Sequence, residues 1–182
     1  ILHSFREKYE AVKIEVYQGT YDEVAYWIKT GVVDLGFLSV SSAKDIPIEP
    51  LYKDPLVCVL PKGTKQPDTD YVGIEEMRMH QFVTQREGTD ADIQNFLKEN
   101  HLRMESRYHV VDDLSTVRLV DKGFGICLMP ELVMRDIPYD VDTFPIRPEA
   151  CRIIGIAAMN PNFMAPAVRT MYNHILEHYK TI

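Results

Sequence analysis

A chain of 182 residues that is 46% hydrophobic and 26% charged holds one ordinary domain or two small lobes, and it is too apolar to remain disordered. Its net charge of -7 excludes a nucleic-acid grip by this chain alone, because Arg6, Lys8, Lys13, Lys29, Lys44 and Lys53 are scattered, each with acidic neighbours. No apolar run approaches the roughly 18 residues needed to cross a bilayer, so no membrane partner is expected.

Cys58, Cys127 and Cys151 show no CxxC spacing, and two of them lie in apolar runs where a thiol acts as a small hydrophobe; a reducing, cytoplasmic setting is expected. Because the chain opens on Ile1 and not on Met, a trimmed start is expected and the absence of a signal peptide carries no weight.

Leu2, Phe5 and Tyr9 recur at helical spacing, after which Val12, Ile14 and Val16 alternate with Lys13 and Glu15 and predict a half-buried strand. Thr20 with Glu23 predicts a capping box for a helix to about Thr30, with Val24, Trp27 and Ile28 on its apolar face and Gly31 as its stop. Residues 32–38 then predict a buried strand, and 54–60 another that ends at Pro61. A polar, turn-rich stretch follows to about Gly73.

Residues 81–85 predict a short strand, and Thr89 with Asp92 caps a helix whose apolar face is Ile93, Phe96 and Leu97. Residues 108–111 predict a strand, and Leu114, Val117, Leu119 and Val120 belong to the next helix. In VDKGFGICLMP (120–130) that helix closes on Gly123, Gly125 opens a buried strand, and Pro130 ends it. Residues 134–148, rich in acidic residues and proline, are expected as loop and edge, and 152–159 as a further buried strand. Pro166 suits the first turn of a last helix, with Val168, Met171, Tyr172, Ile175, Leu176 and Tyr179 as its apolar stripe.

Strands alternating with helices place the chain in the α/β class with mostly parallel sheets, and the polar stretch between two such runs predicts two lobes. The expected lobes are 1–60 plus 151–182 and 61–150, so that the chain crosses twice, near 60–61 and 149–151. Ligands of open α/β sheets sit beyond the carboxyl ends of the strands, which makes the cleft between lobes the expected site.

The blocks LHSFREKY (2–9), EVYQGTYDEVAYWIKTGVVDLGFLS (15–39), EPLYKDPLVCVLPKGT (49–64), FVTQREGTDADIQNFLKENHL (82–102) and DDLSTVRLVDKGFGICLMP (112–130) resemble, in order and spacing, the effector-binding domain of a LysR-type transcriptional regulator. The resemblance implies two lobes of the type II periplasmic-binding-protein kind linked by two crossover segments. It also implies a small-molecule effector between them, assembly as homodimers or tetramers, and DNA contact only through a winged helix-turn-helix ahead of Ile1. Two departures stand out. The strand and ligand-contacting turn that the family usually shows before the first helix are not in this chain, and Glu10 stands where many members carry proline. A solute-binding receptor of a transport system is the alternative, and an enzyme on the same fold a third reading.

The expected effector contacts are Thr20, Ser39, Thr84, Gln85 and Thr89, at strand ends or helix starts where hydroxyls and free N–H groups take up an anionic or carboxylate ligand. Helix capping accounts equally well for Thr20 and Thr89, and for Asp112, Asp113 and Ser115. His174 and His178 share one helix face, but without a third ligand an exposed pair and no metal is expected. The Gly123-x-Gly125 pair lacks a third glycine and follows a helix, so it is not a dinucleotide fingerprint. With no nucleophile elbow, HExxH pair, phosphate-cradling loop or paired carboxylates, no cofactor and no enzymatic activity are expected.

Overall fold

The computed structural model describes residues 1–64, 70–85, 91–102, 108–110 and 112–182, with Gln85 described by its backbone only. These divide into two compact units, one formed by Ile1–Lys53 with Ile153–Ile182 and the other by Asp54–Arg152.

The first unit contains α1 (Leu2–Lys8), α2 (Tyr21–Thr30) and β1 (Gly36–Ser39), the opening residues of β2 (Ile48–Pro61), and a C-terminal part described below. Helix α2 starts as its capping box requires: the Glu23 N–H donates to Thr20 Oγ1 at 3.3 Å while the Thr20 N–H donates to Glu23 Oε2 at 2.8 Å. Gly31, at φ 71°, closes it in the left-handed conformation. Ile28 packs with Leu38, Ala43, Ile46 and Ala157.

Two strand expectations fail in this unit. Residues 12–16 carry no ladder, and Val16 is 73% exposed. Alternation marks which side chains could share a face, but a strand is held by cross-strand pairs, and no partner strand lies beside this segment among the described residues. The strand expected over 32–38 begins only at Gly36, because the N–H groups of Val32 and Val33 both donate to the Trp27 carbonyl and finish the helix end.

The second unit continues with β3 (Val72–Gly73), α3 (Ile74–Arg78), β4 (Val83–Gln85), α4 (Ala91–Glu99), β5 (Tyr108–Val110), α5 (Asp113–Asp121), β6 (Cys127–Pro130), α6 (Glu131–Met134), β7 (Val141–Arg147) and the first residues of β8 (Cys151–Ala157). Here β4 runs parallel to β5 and is joined to the start of β6 by a parallel bridge between Phe82 and Ile126. β6 and β7 each pair antiparallel with β2, and β3 pairs parallel with β7. The expectation of mostly parallel sheets therefore needs correction: the long strand β2 runs against its neighbours, and β1 pairs antiparallel with β8 in the first unit. Both β2 and β8 carry the chain from one unit to the other, so neither follows the direction of the strand–helix repeats.

Residues 134–148 are also more regular than expected, since β7 lies between β2 and β3. Pro145 removes a single donor, and Phe144 and Ile146 on either side turn into the core.

The second unit's sheet is covered on both faces, which is why its strands read as continuous apolar runs. Leu56, Cys58 and Leu60 of β2 pack with Ile93, Phe96 and Leu97 of α4, whereas Val57 and Val59 pack with Val117 and Val120 of α5. At the joint into β6, Gly125 has φ 144°, and a Cβ there would lie 2.2 Å from the Gln81 carbonyl oxygen that accepts the Ile126 N–H.

The C-terminal part of the first unit is the rest of β8 followed by α7 (Pro166–Tyr179). Ile175 buries against Leu51 and Ile156, flanked by Met171, Tyr172 and Leu176, as the stripe predicts. The exposed histidine pair does not survive: His174 is only 4% exposed, because α1 lies over it with Phe5 edge-on to its ring at 5.4 Å.

Candidate functional site

In the second unit the carboxyl ends of β4 and β5 present polar groups together. Their parallel register sets Thr84 beside His109, and Thr84 Oγ1 lies 3.2 Å from His109 Nδ1. Thr84 is buried while His109 is exposed, so the imidazole is what this pair offers to solvent. Gln85 sits one step further along, opposite Val110. Just beyond β5, the Ser115 N–H donates to Asp112 Oδ1 at 2.8 Å, and that bond holds the Asp112 carboxyl below its usual range. Thr116 Oγ1 donates to the Asp112 carbonyl, so the start of α5 is capped from within the chain.

Sequence reasoning missed His109. Its signal lies in strand periodicity: Tyr108 and Val110 pack into the core with Val83, which turns His109 to the opposite face.

Thr20 and Ser39 belong to the first unit, on separate elements. The Thr20 hydroxyl accepts the Glu23 N–H and donates to the Glu23 carboxylate at 3.0 Å, which leaves it one lone pair for a ligand. Ser39, at the carboxyl end of β1, is wholly buried with its hydroxyl 3.0 Å from Ser41 Oγ. Thr89 lies outside the described residues.

The first unit also holds a groove of about 860 Å³ that the sequence did not announce. Its walls are largely apolar, with Val16, Tyr17, Trp27, Phe37 and Val168 among them, and Glu15 and Asp34 add two carboxylates. Among the described residues no three His, Cys, Asp or Glu side chains converge as metal ligands. Burial, and secondarily Cys58, pushes the Cys127 thiol well up, away from the thiolate that redox chemistry uses. No helix among the described residues is long and apolar enough to cross a membrane.

A family model, the LysR substrate binding domain, matches residues 1–180. An uncharacterized HTH-type transcriptional regulator of Bacillus subtilis, YoaU, is 22% identical over 169 residues, covering 90% of this chain and 56% of that protein. The transcriptional dual regulator GltC of the same organism is 22% identical over 190 residues, covering 100% of this chain and 63% of GltC. The chain spans 56%, 54% and 62% of three such curated relatives, little more than half their length.

Among solved structures, the effector binding domain of QuiR in complex with shikimate superposes with a TM-score of 0.84 at 21% identity, over 98% of this chain and 88% of that one. The regulatory domain of Synechocystis PCC6803 CcmR in complex with 2-PG gives 0.88 at 14% identity, over 100% of this chain and 90% of that one. At such identities the likeness speaks for the fold, which is α/β of the type II periplasmic-binding-protein kind, while the family match runs through nearly every residue. Across residues 1–180 the chain is a member of the LysR substrate binding domain family, and the relatives it resembles are named as transcriptional regulators.

Proposed function

We propose that this chain is the ligand-sensing part of a DNA-binding transcriptional regulator, which captures a small anionic effector and passes the event to DNA-binding domains elsewhere in the longer protein. The family match over residues 1–180 carries this reading, and relatives named as transcriptional regulators favour it over a transport receptor. The expected contacts are Thr20 and Ser39 from the first lobe and Thr84, Gln85 and Thr89 from the second, with His109 added as a hydrogen-bonding group for an anion. The lobes are taken as 1–60 plus 151–182 and 61–150, in a cytoplasmic homodimer or tetramer with a winged helix-turn-helix ahead of Ile1.

The physical requirement is differential affinity, since an effector moves a two-state equilibrium only by the difference in its binding to the two states. We further propose that residues ahead of Ile1 supply a strand to the apolar groove of the first unit, next to residues 12–16 whose alternation has no ladder partner. The relatives are long enough to provide it.

The test is isothermal titration of the full-length protein against a panel of small carboxylates and phosphate esters, shikimate and 2-PG included, with DNA footprinting at each ligand that binds. Binding accompanied by a changed footprint supports the reading. Tight binding that never alters assembly or footprint overturns it.

A further inference from the structure

Away from the effector contacts, α1 is fastened to α7 by a polar cluster whose hydrogen bonds admit one arrangement of protons. A carbonyl only accepts, so the 2.9 Å contact between His178 Nδ1 and the His174 carbonyl places a proton on Nδ1. His178 Nε2 is then the acceptor for Lys8 Nζ at 3.4 Å. Ser4 Oγ donates its single proton to the Ile1 carbonyl at 2.9 Å. It must therefore accept from Tyr179 OH at 2.7 Å and from His174 Nε2 at 3.0 Å. The two imidazoles stack with centroids 4.4 Å apart, and Phe5, wholly buried, stands edge-on to His174.

This arrangement suits a neutral His174. A proton added to His174 charges a ring that is buried under α1 and stacked on its neighbour, with no carboxylate hydrogen-bonded to it. We propose that the junction of α1 with α7 is a proton-gated latch, closed when His174 is neutral and released when it charges.

The groups facing His174 agree in sign with one exception. Burial, then His178, then Lys8 on α1 depress its titration, and Glu177 on its own helix opposes them. A depressed folded value means that the open form takes up the proton first. The latch is therefore intact above the ordinary imidazole range near 6.5 and weakens as pH falls from there through the folded value. Released, the seven residues of α1 are too few to stay helical alone, so opening is readable as lost amide protection.

Hydrogen exchange of the full-length protein at pH 7.5 and 5.5, corrected for intrinsic rates, tests the latch. Exchange over residues 1–9 is expected to be at least tenfold faster at the lower pH, with α5 unchanged. His174→Gln, which keeps an N–H for Ser4 and has nothing to titrate, is expected to abolish the difference. Should that variant fold poorly, the proton NMR titration of His174 in the unaltered protein must run below the ordinary imidazole value and coincide with loss of α1 protection. Equal α1 protection at both pH values, an undiminished response in His174→Gln, or an unshifted His174 overturns the proposal.

Discussion

The Asp54 carboxylate, with no exposed surface, divides its two oxygens: Oδ2 accepts Nε and Nη2 of Arg152, each at 2.9 Å, and Oδ1 accepts the Leu132 N–H at 2.9 Å. Arg152→Met strands that charge, and the expected loss is about 3–5 kcal/mol in urea unfolding. The double variant Asp54→Leu with Arg152→Met is expected to lose less than Arg152→Met alone, because no unpaired charge remains. A loss under about 1 kcal/mol in the single variant would show the pair to be dispensable.

Gly125→Ala tests the close approach of β6 to the Gln81 carbonyl. With backbone and not a flexible side chain in the way, the expected cost is roughly 2–5 kcal/mol, combining strain at φ 144° with overpacking. Gly123→Ala, at φ 77° with nothing within 4 Å of its Cβ, is expected to cost only about 1 kcal/mol. Thermal unfolding of the two variants side by side reads the difference.

Thr84→Val keeps the shape of a buried side chain and removes the hydroxyl that meets His109. Affinity for any effector found by titration is expected to fall about tenfold, the equivalent of one hydrogen bond to a charged group. His109→Leu is expected to cost at least as much. Unchanged affinity in both variants would move the site away from the ends of β4 and β5.

Thr20→Ala is expected to cost about 1 kcal/mol through loss of the α2 cap, and Thr20→Ser to restore most of it. Effector affinity separates capping from contact: a loss in Thr20→Ala that Thr20→Ser does not recover would point to the methyl group touching ligand.

The α5 cap supplies an acid-side prediction. The Ser115 N–H holds the Asp112 carboxyl below its usual value of 3.8, so the ionised cap contributes fully above that pH and its contribution disappears as pH falls through the lower folded value. Asp112→Asn caps at every pH. Its acid unfolding is expected to be less steep in that window than that of the unaltered chain.

Features set by local chemistry were legible before any coordinates. The Thr20–Glu23 box, Gly31, the Gly123 stop and the α7 stripe each depend on residues within about a turn of one another, and each stands where expected. Features set by distant partners were not. Residues 12–16 alternate properly yet find no ladder, Val32 and Val33 are captured by the Trp27 carbonyl, and β7 forms in spite of its proline because β2 is there to receive it. His174 looked exposed from its own helix, since Ser4 and Phe5, which cover it, lie about 170 positions away. For the candidate site, capping explained Asp112 and Thr20 from sequence, whereas the Thr84–His109 pairing needed the register of two strands.

The division of the chain has a consequence for how it is made. Asp54–Arg152 is one uninterrupted stretch, whereas the other unit needs Ile153–Ile182 to join residues that leave the ribosome ahead of that stretch. Until α7 emerges, Phe5 has no imidazole to lie against and Leu51 lacks Ile175, so the first unit stays incomplete while residues 54–152 are made. Birth order thus lets residues 54–152 gather their partners before residues 1–53 meet residues 153–182.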